Sequence, residues 1–319
     1  MHKRDDLAHS AAVMYYVQDQ TMDAIAKEFG VSRATVSRLL KHARDSGLVR
    51  ITVAEVSRGT DVLGRQLERT FGITAHVVQV RGAASEAARL EQVSKVAASV
   101  LDTLLEPGTI LGFAWGSTMT ELARHLTPRR VPESVVVQLN GAGSARRSGI
   151  PYTGAILNSA AEAFGSQVVH FPVPAFFDYA ETKRAMWRER SIRGVLALQA
   201  QATVAVFGVG ALYGTVPSHV YSSGYFDEED YARLARDNVV GDVCTVLLRE
   251  DGTWADVEMN SRATGPTPHE LSRIEHRLCV VAGAHRTPAL LGALRARAVT
   301  DLVVDELTAK LLLDRAEGL

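Results

Sequence analysis

No apolar run in this chain of 319 residues reaches the roughly 18 to 20 residues that a membrane-spanning helix needs, so a membrane role has no support. The opening Met1-His2-Lys3-Arg4-Asp5-Asp6 has no apolar stretch behind it, which argues against a signal peptide and for a cytoplasmic protein. Cysteine is scarce. Cys244 and Cys279 each lie inside an apolar, strand-like run, the setting of buried core thiols rather than of a disulfide or a metal pair. Charge of one sign is missing as well, because 35 Lys and Arg stand against 36 Asp and Glu. Arginine far outnumbers lysine and alanine is abundant, a bias of GC-rich coding, so basic residues count only where they cluster. The ten histidines show no metal-ligand spacing and no Gly-x-Ser-x-Gly elbow occurs, which leaves no metal site and no hydrolase nucleophile to expect.

What is present begins at the N-terminus. Residues 1 to 50 carry eight Lys and Arg against six Asp and Glu, the sign that DNA binding wants. Residues 7 to 18 form an amphipathic pattern without Gly or Pro. Thr21 is placed to cap a short helix ending at Phe29, with Gly30 as the turn residue. Ser32 caps a third helix to about Arg44, stopped by Gly47. Ala26 leaves room for a close crossing, and Val36 and Leu39 point back at Ile25 and Phe29, the spacing of a DNA-binding helix-turn-helix. The other face of the third helix carries Ser32, Arg33, Thr35, Ser37, Arg38 and Lys41, the residue types that reach base edges and phosphates, with no acid from 32 to 43. These are the expected contacts to double-stranded operator DNA. Leu48 to Val53 alternates as the wing strand of a winged helix would. The bland alternative is a three-helix packing module with a solvated basic face.

After a linker near Ser57-Arg58-Gly59-Thr60-Asp61 and a helix through Leu67 and Phe71, strand-like runs alternate with helical ones. Expected strands are Ala75–Val80, Thr109–Ala114, Val135–Leu139, Val168–Phe171, Thr203–Val209, Val243–Leu248, Leu278–Ala282 and Leu302–Val304. Helices are expected near 86–104, 118–126, 152–164, 178–200, 227–236, 288–297 and 305–314. This alternation predicts an α/β fold with a mostly parallel, Rossmann-like sheet. Domain boundaries follow at 1–56 and 57–319. Ligands of such sheets lie at the carboxyl ends of strands, which singles out Trp115-Gly116-Ser117-Thr118-Met119, Asn140-Gly141-Ala142-Gly143-Ser144, Gly208-Val209-Gly210 and Gly241-Asp242. At the first, a helix N-terminus, backbone amides and two hydroxyls converge as an anion site requires. Each of these glycines is alone no more than a tight turn. Gly208-x-Gly210 with Asp227 imitates a dinucleotide fingerprint, but Pro217 and serines follow where a helix should open, so no nucleotide cofactor is expected.

In order along the chain these segments resemble the SorC family of sugar-responsive transcriptional regulators. The likeness runs from Met22-Asp23-Ala24-Ile25-Ala26 and Leu48-Val49-Arg50-Ile51 through Gly112 to Met119, Val137-Gln138-Leu139-Asn140-Gly141, Gly208-Val209-Gly210, Gly241-Asp242-Val243 and Ala282 to Leu294. It ends in Val304-Asp305-Glu306-x-Thr308-Ala309. The resemblance implies a sensor related to sugar-phosphate isomerases, with an effector that is a phosphorylated sugar or polyol. Gly116, Ser117 and Thr118 would then hold the phosphate, while Asn140, Gly141 and Asp242 would approach the hydroxyls. One departure is Ala282-Gly283-Ala284-His285-Arg286-Thr287, where the family usually places a lysine. Either Arg286 replaces it as a phosphate fork, or the effector is differently shaped or unphosphorylated, or Arg286 is a plain surface residue.

A regulator of a carbohydrate catabolic operon working as a homodimer or homotetramer is the expectation. The rival is a sugar-phosphate isomerase or lactonase with an accessory DNA-binding head. Such chemistry needs a placed general base and usually a lysine. Lys95, Lys183 and Lys310 all fall in helical stretches, which leaves Asp242 and Asp305 as candidate bases.

Overall fold

The computed structural model describes residues 2–49, 58–82, 84–142, 150–213, 218–222 and 224–318. The chain divides into two compact units, Met1–Val56 and Ser57–Leu319.

In the first unit, α1 (His2–Ala12) runs on into a π-helical turn at Val13–Val17. α2 (Met22–Phe29) and α3 (Arg33–Asp45) follow. The Thr21 side chain accepts from the Ala24 N–H and Ser32 from the Thr35 N–H, so both helices start on side-chain caps. Gly30 ends α2 in the left-handed region at φ 64°, which is where a residue without Cβ belongs. Ile25, Ala26, Val36, Leu39 and Leu40 form the core with alanines of α1, and Phe29 packs at its edge. His42 and Asp5, 2.8 Å apart, and Arg44 with the Tyr16 hydroxyl, also at 2.8 Å, stitch α3 to the first helix and the turn after it. The expected wing strand lies largely outside the described residues.

Among its described residues the second unit contains ten strands: β1 (Thr74–Val78), β2 (Ile110–Phe113), β3 (Val135–Gln138), β4 (Gln167–Val169), β5 (Val204–Phe207), β6 (Val209–Ala211), β7 (Val239–Val243), β8 (Val246–Arg249), β9 (His276–Val281) and β10 (Asp301–Asp305). Between them lie α4 (Arg58–Phe71), α5 (Glu86–Leu104), α6 (Ser117–Arg124), α7 (Ile150–Phe164), α8 (Ala180–Met186), α9 (Arg190–Gln199), α10 (His219–Ser222), α11 (Glu228–Arg236), α12 (Pro268–Leu271), α13 (Thr287–Arg295) and α14 (Glu306–Glu317). Seven strands form a parallel sheet in the order β1-β10-β9-β5-β2-β3-β4. β5 and β10 are buried at every residue, so both faces are covered, as a parallel sheet requires. From β2 the chain winds outward through β3 to β4 and then returns to place β5 on the other side of β2. The loops after β2 and β5 therefore part in opposite directions and open a crevice between them.

Three expected elements divide. The run Thr203–Val209 leaves the large sheet after Phe207, and Val209 starts a second, antiparallel sheet of β6, β7 and β8. The run Val243–Leu248 is not one strand: Cys244 (φ 48°) and Thr245 (φ 73°) make a tight turn between β7 and β8. Two consecutive positive φ values give the turn whose twist matches a hairpin, here without the usual glycine or asparagine. The expected helix over 178–200 breaks at Trp187–Glu189 into α8 and α9.

Candidate effector pocket and DNA-binding face

On α3, Ser32, Arg33, Ser37, Arg38 and Lys41 are exposed and Thr35 is half-buried. The Ser32 and Thr35 hydroxyls share a hydrogen bond of 3.0 Å. Arg38 donates to the Thr35 hydroxyl and to the Ala34 carbonyl, both at 3.3 Å. Arg33 lies 3.8 Å from Asp23 on α2, with both side chains mostly in solvent. All six sequence-selected side chains thus share the exposed side of the helix opposite Val36, Leu39 and Leu40.

In the larger unit, the crevice beside β2 and β5 forms a cavity that encloses about 510 Å³ of space counted out to its open mouth. Gly116, Ser117, Thr118, Asn140, Asp242 and Arg286 all line it, joined by Gly208, Gly210, Ser218 and Thr245. Five distant stretches of sequence therefore meet in one place.

The floor comes from the β2–α6 junction. Gly116 adopts φ 139° and ψ 176°, and nothing lies within 4 Å of where its Cβ would stand; backbone conformation and open space for a ligand both favour glycine. No side chain caps α6, whose first bond runs from the Thr120 N–H to the Gly116 carbonyl. Gly116 and the first-turn residues Ser117, Thr118 and Met119 line the cavity, which brings the unbonded N–H groups and the positive end of the helix dipole to it, an anion-binding arrangement. Trp115 fixes the wall by donating its indole N–H to the Gly141 carbonyl at 3.0 Å.

Gly141 takes a different place from its neighbours. Its N–H donates to the Thr264 hydroxyl at 3.1 Å, and a Cβ there would stand 2.2 Å from the Pro174 carbonyl oxygen and 2.5 Å from that of Val173. Close backbone packing behind the wall explains the glycine. Asn140 beside it is buried, with its side-chain oxygen lacking a partner among the described residues.

Arg286 follows β9 on the turn Ala284–Arg286. One of its terminal nitrogens donates to the Ala282 carbonyl at 2.7 Å, while Nε has no partner among the described residues. Burial lowers the guanidinium's pKa, and Glu86 acts the other way. The neighbouring His285, 3.7 Å from Glu86, is pulled below its ordinary pKa by burial and by Arg286. Asp305, fully buried, anchors this turn: it accepts from the Gly283 N–H at 2.9 Å, from the Thr308 N–H and hydroxyl at 3.2 and 2.6 Å, and from Arg89 at 2.8 Å. Asp305 is committed to holding backbone rather than facing the cavity.

Asp242 closes the far side. Its Oδ2 accepts from the Thr245 N–H at 2.9 Å, while Oδ1 has no partner among the described residues. Burial raises its carboxyl to about 6, against smaller opposing effects of the Thr245 N–H and Tyr221. The Tyr221 hydroxyl stands near enough to matter electrostatically yet makes no bond of ordinary geometry. Gly208 and Gly210, singled out in the sequence as a strand-end loop, do line the cavity. Ser218 and Thr245 escaped the reading of the sequence: Ser218 lies in a stretch without periodicity, and Thr245 sits inside a run expected to be one strand.

Residues 57–314 match the Sugar-bind family of sugar-binding domains, and residues 12–46 match sigma-70 region 4, a helix-turn-helix region. The deoxyribonucleoside regulator of Bacillus subtilis (strain 168) is 31% identical over 98% of both chains. A domain of a "possible sugar-binding transcriptional regulator" from Arthrobacter aurescens TC1 superposes with a TM-score of 0.76 at 42% identity, covering 82% of this chain and all of that one. The full-length sorbitol operon regulator SorC of Klebsiella pneumoniae superposes with a TM-score of 0.74 at 26% identity, over 97% of this chain and 98% of its own. With a helix-turn-helix at one end and a sugar-binding domain over most of its length, the chain belongs to the SorC family of transcriptional regulators.

Proposed function

We propose that the protein binds a palindromic operator through α3 as a homodimer or homotetramer, and that a phosphorylated sugar or polyol in the cavity changes that binding and so controls a carbohydrate catabolic operon. The convergence of an uncapped helix N-terminus, a half-buried arginine and two unpartnered side-chain acceptors in one cavity carries this reading. Amides and hydroxyls of Gly116, Ser117 and Thr118 suit phosphate oxygens, and Arg286 adds a forked cation. Asn140 and Asp242 offer acceptors to hydroxyl donors, and an unpartnered buried acceptor gains most from such a bond. The kinship with regulators named for deoxyribonucleosides and sorbitol supports a carbohydrate effector.

Ser117→Asp tests the reading. A fixed carboxylate at the anion site repels phosphate, so calorimetry with the effector found by a thermal-shift screen of sugar and polyol phosphates is expected to show binding lost. Operator binding should persist but no longer respond. Full effector affinity in the folded variant sinks the phosphate assignment.

Self-association supplies the two global states through which ligand and DNA influence each other, and one recognition helix reads too few base pairs alone. Light scattering on the full chain at micromolar concentration is expected to give a multimer; a monomer with and without DNA contradicts the scheme.

A further inference from the structure

The cavity joins an anion site to a buried carboxyl that has no cation of its own. Asp242 is 4% exposed, and no ion pair to it occurs among the described residues. The groups that face it are Tyr221 from α10, itself faced by Tyr231, and Cys244 from the β7–β8 turn, which is faced by Cys279 of β9. None of these is basic; the cation of the cavity is Arg286, which lines it from the turn after β9 and is the group the bound anion engages. Its Oδ1 is pressed toward Gly210 on β6, where a Cβ would stand 1.9 Å away, so the carboxyl has little room to swing out to solvent.

We propose that the cavity takes up its anionic effector together with a proton, and that Asp242 receives the proton. This rests on the anion-site reading above. Gly116, Ser117 and Thr118 at the α6 N-terminus line the same cavity as Asp242, so an anion there and a carboxylate at Asp242 share one protein-walled space, where repulsion is weakly screened. The carboxyl is already half-protonated near pH 6. A second negative charge raises its pKa further, because like charge disfavours the ionised form. The sign of the linkage follows: a pKa raised on binding makes affinity greatest below about 6 and weakens it as pH climbs toward the bound-state value. If only the protonated form accepts the anion, the dissociation constant rises by at most about sixteenfold from pH 6.0 to 7.5, the ratio of (1 + 10^1.5) to 2. His285 is the other group in reach that titrates below neutrality, and the experiment must separate the two.

Sulfate serves as the probe, because it stays a dianion throughout and any proton taken up belongs to the protein. Calorimetry on the full chain, at pH 6.0 and 7.5 and in two buffers of different ionisation enthalpy, gives both affinity and protons. The wild type is expected to bind several-fold more weakly at pH 7.5 than at 6.0 and to take up a fraction of a proton at both values. Asp242→Asn should bind within twofold at both values with no uptake, and His285→Gln should keep the wild-type pH dependence. Uptake unchanged in Asp242→Asn, or lost in His285→Gln, overturns the assignment to Asp242 and leaves the anion site standing. No sulfate binding by the wild type overturns the anion site and this inference with it. The wild type alone offers a second measure should the asparagine variant not fold: uptake must fade toward pH 4, where Asp242 already holds its proton, and uptake that persists there rejects the proposal.

Discussion

Replacing Arg89 with methionine removes the one cation bonded to Asp305 among the described residues and leaves most of the side chain's volume in place. The carboxylate is fully buried, and the Arg89 side chain is 11% exposed. Breaking a buried pair from one side costs about 3 to 5 kcal/mol, because the remaining charge is left uncompensated. Asp305 keeps its bonds from the Gly283 N–H and from the Thr308 N–H and hydroxyl, which places the expected loss at the lower end, about 3 kcal/mol. Asp305→Asn with Arg89 intact should also destabilise, since an amide NH2 must then face either the guanidinium or the Gly283 N–H. Because both changes strike the same bond, the double variant should cost at least about 1 kcal/mol less than the sum of the two. Urea unfolding followed by tryptophan fluorescence is the assay, since Trp115, Trp187 and Trp254 all lie in the larger unit. An Arg89→Met loss below about 1 kcal/mol, in the range of exposed pairs, or strict additivity in the cycle, refutes the claim that this pair anchors the turn carrying Arg286.

Asp242→Asn is expected to gain stability over the wild type as pH rises. A folded-state pKa of about 6 against the ordinary 3.8 means that ionisation opposes folding, so stability present below 3.8 is lost between 3.8 and 6. The wild-type penalty above that window is about 3 kcal/mol, from 2.2 units at 1.36 kcal/mol each; unfolding midpoints whose difference stays constant from pH 4 to 7.5 contradict it. On the DNA side, Arg33→Ala should weaken specific operator binding by about 1 to 3 kcal/mol if the side chain reads a base, and gel shifts unchanged for Arg33→Ala, Arg38→Ala and the double variant remove α3 from its role.

The reading head was legible because its signals are local. Thr21, Ser32 and Gly30 each act on backbone within a turn of themselves, and Ile25, Val36 and Leu39 meet through helical periodicity alone. Most strands of the large sheet were legible too, since a strand buried on both faces has to be continuously apolar. That same continuity hid the second sheet. Val243 to Leu248 is apolar but for Thr245, itself a β-former, and a turn built on Cys244 and Thr245 carries no glycine, proline or asparagine to announce it; tertiary packing, including the close approach of Gly265 to the Cys244 carbonyl, supports the left-handed pair. Among the pocket residues, Ser117 and Thr118 were visible from a strand-to-helix junction. Gly141 was singled out for ligand contact and packs against Val173 and Pro174 instead, because a glycine's sequence neighbourhood does not tell which surface approaches it.

Gly210 and Asp242 stand directly opposite each other in the antiparallel register of β6 and β7, and the absent side chain of one is the space occupied by the other. The two sites therefore constrain the order in which substitutions can accumulate. Any side chain at 210 must wait until position 242 has shortened, and a shortened 242 leaves a void until 210 fills it, so each single step is costly while the pair exchanged together is not. A family member in which both have changed should have crossed through a destabilised intermediate or by way of a compensating shift in the β7–β8 turn. The acidic group in this pocket is thus kept in place by a neighbour with no chemistry of its own.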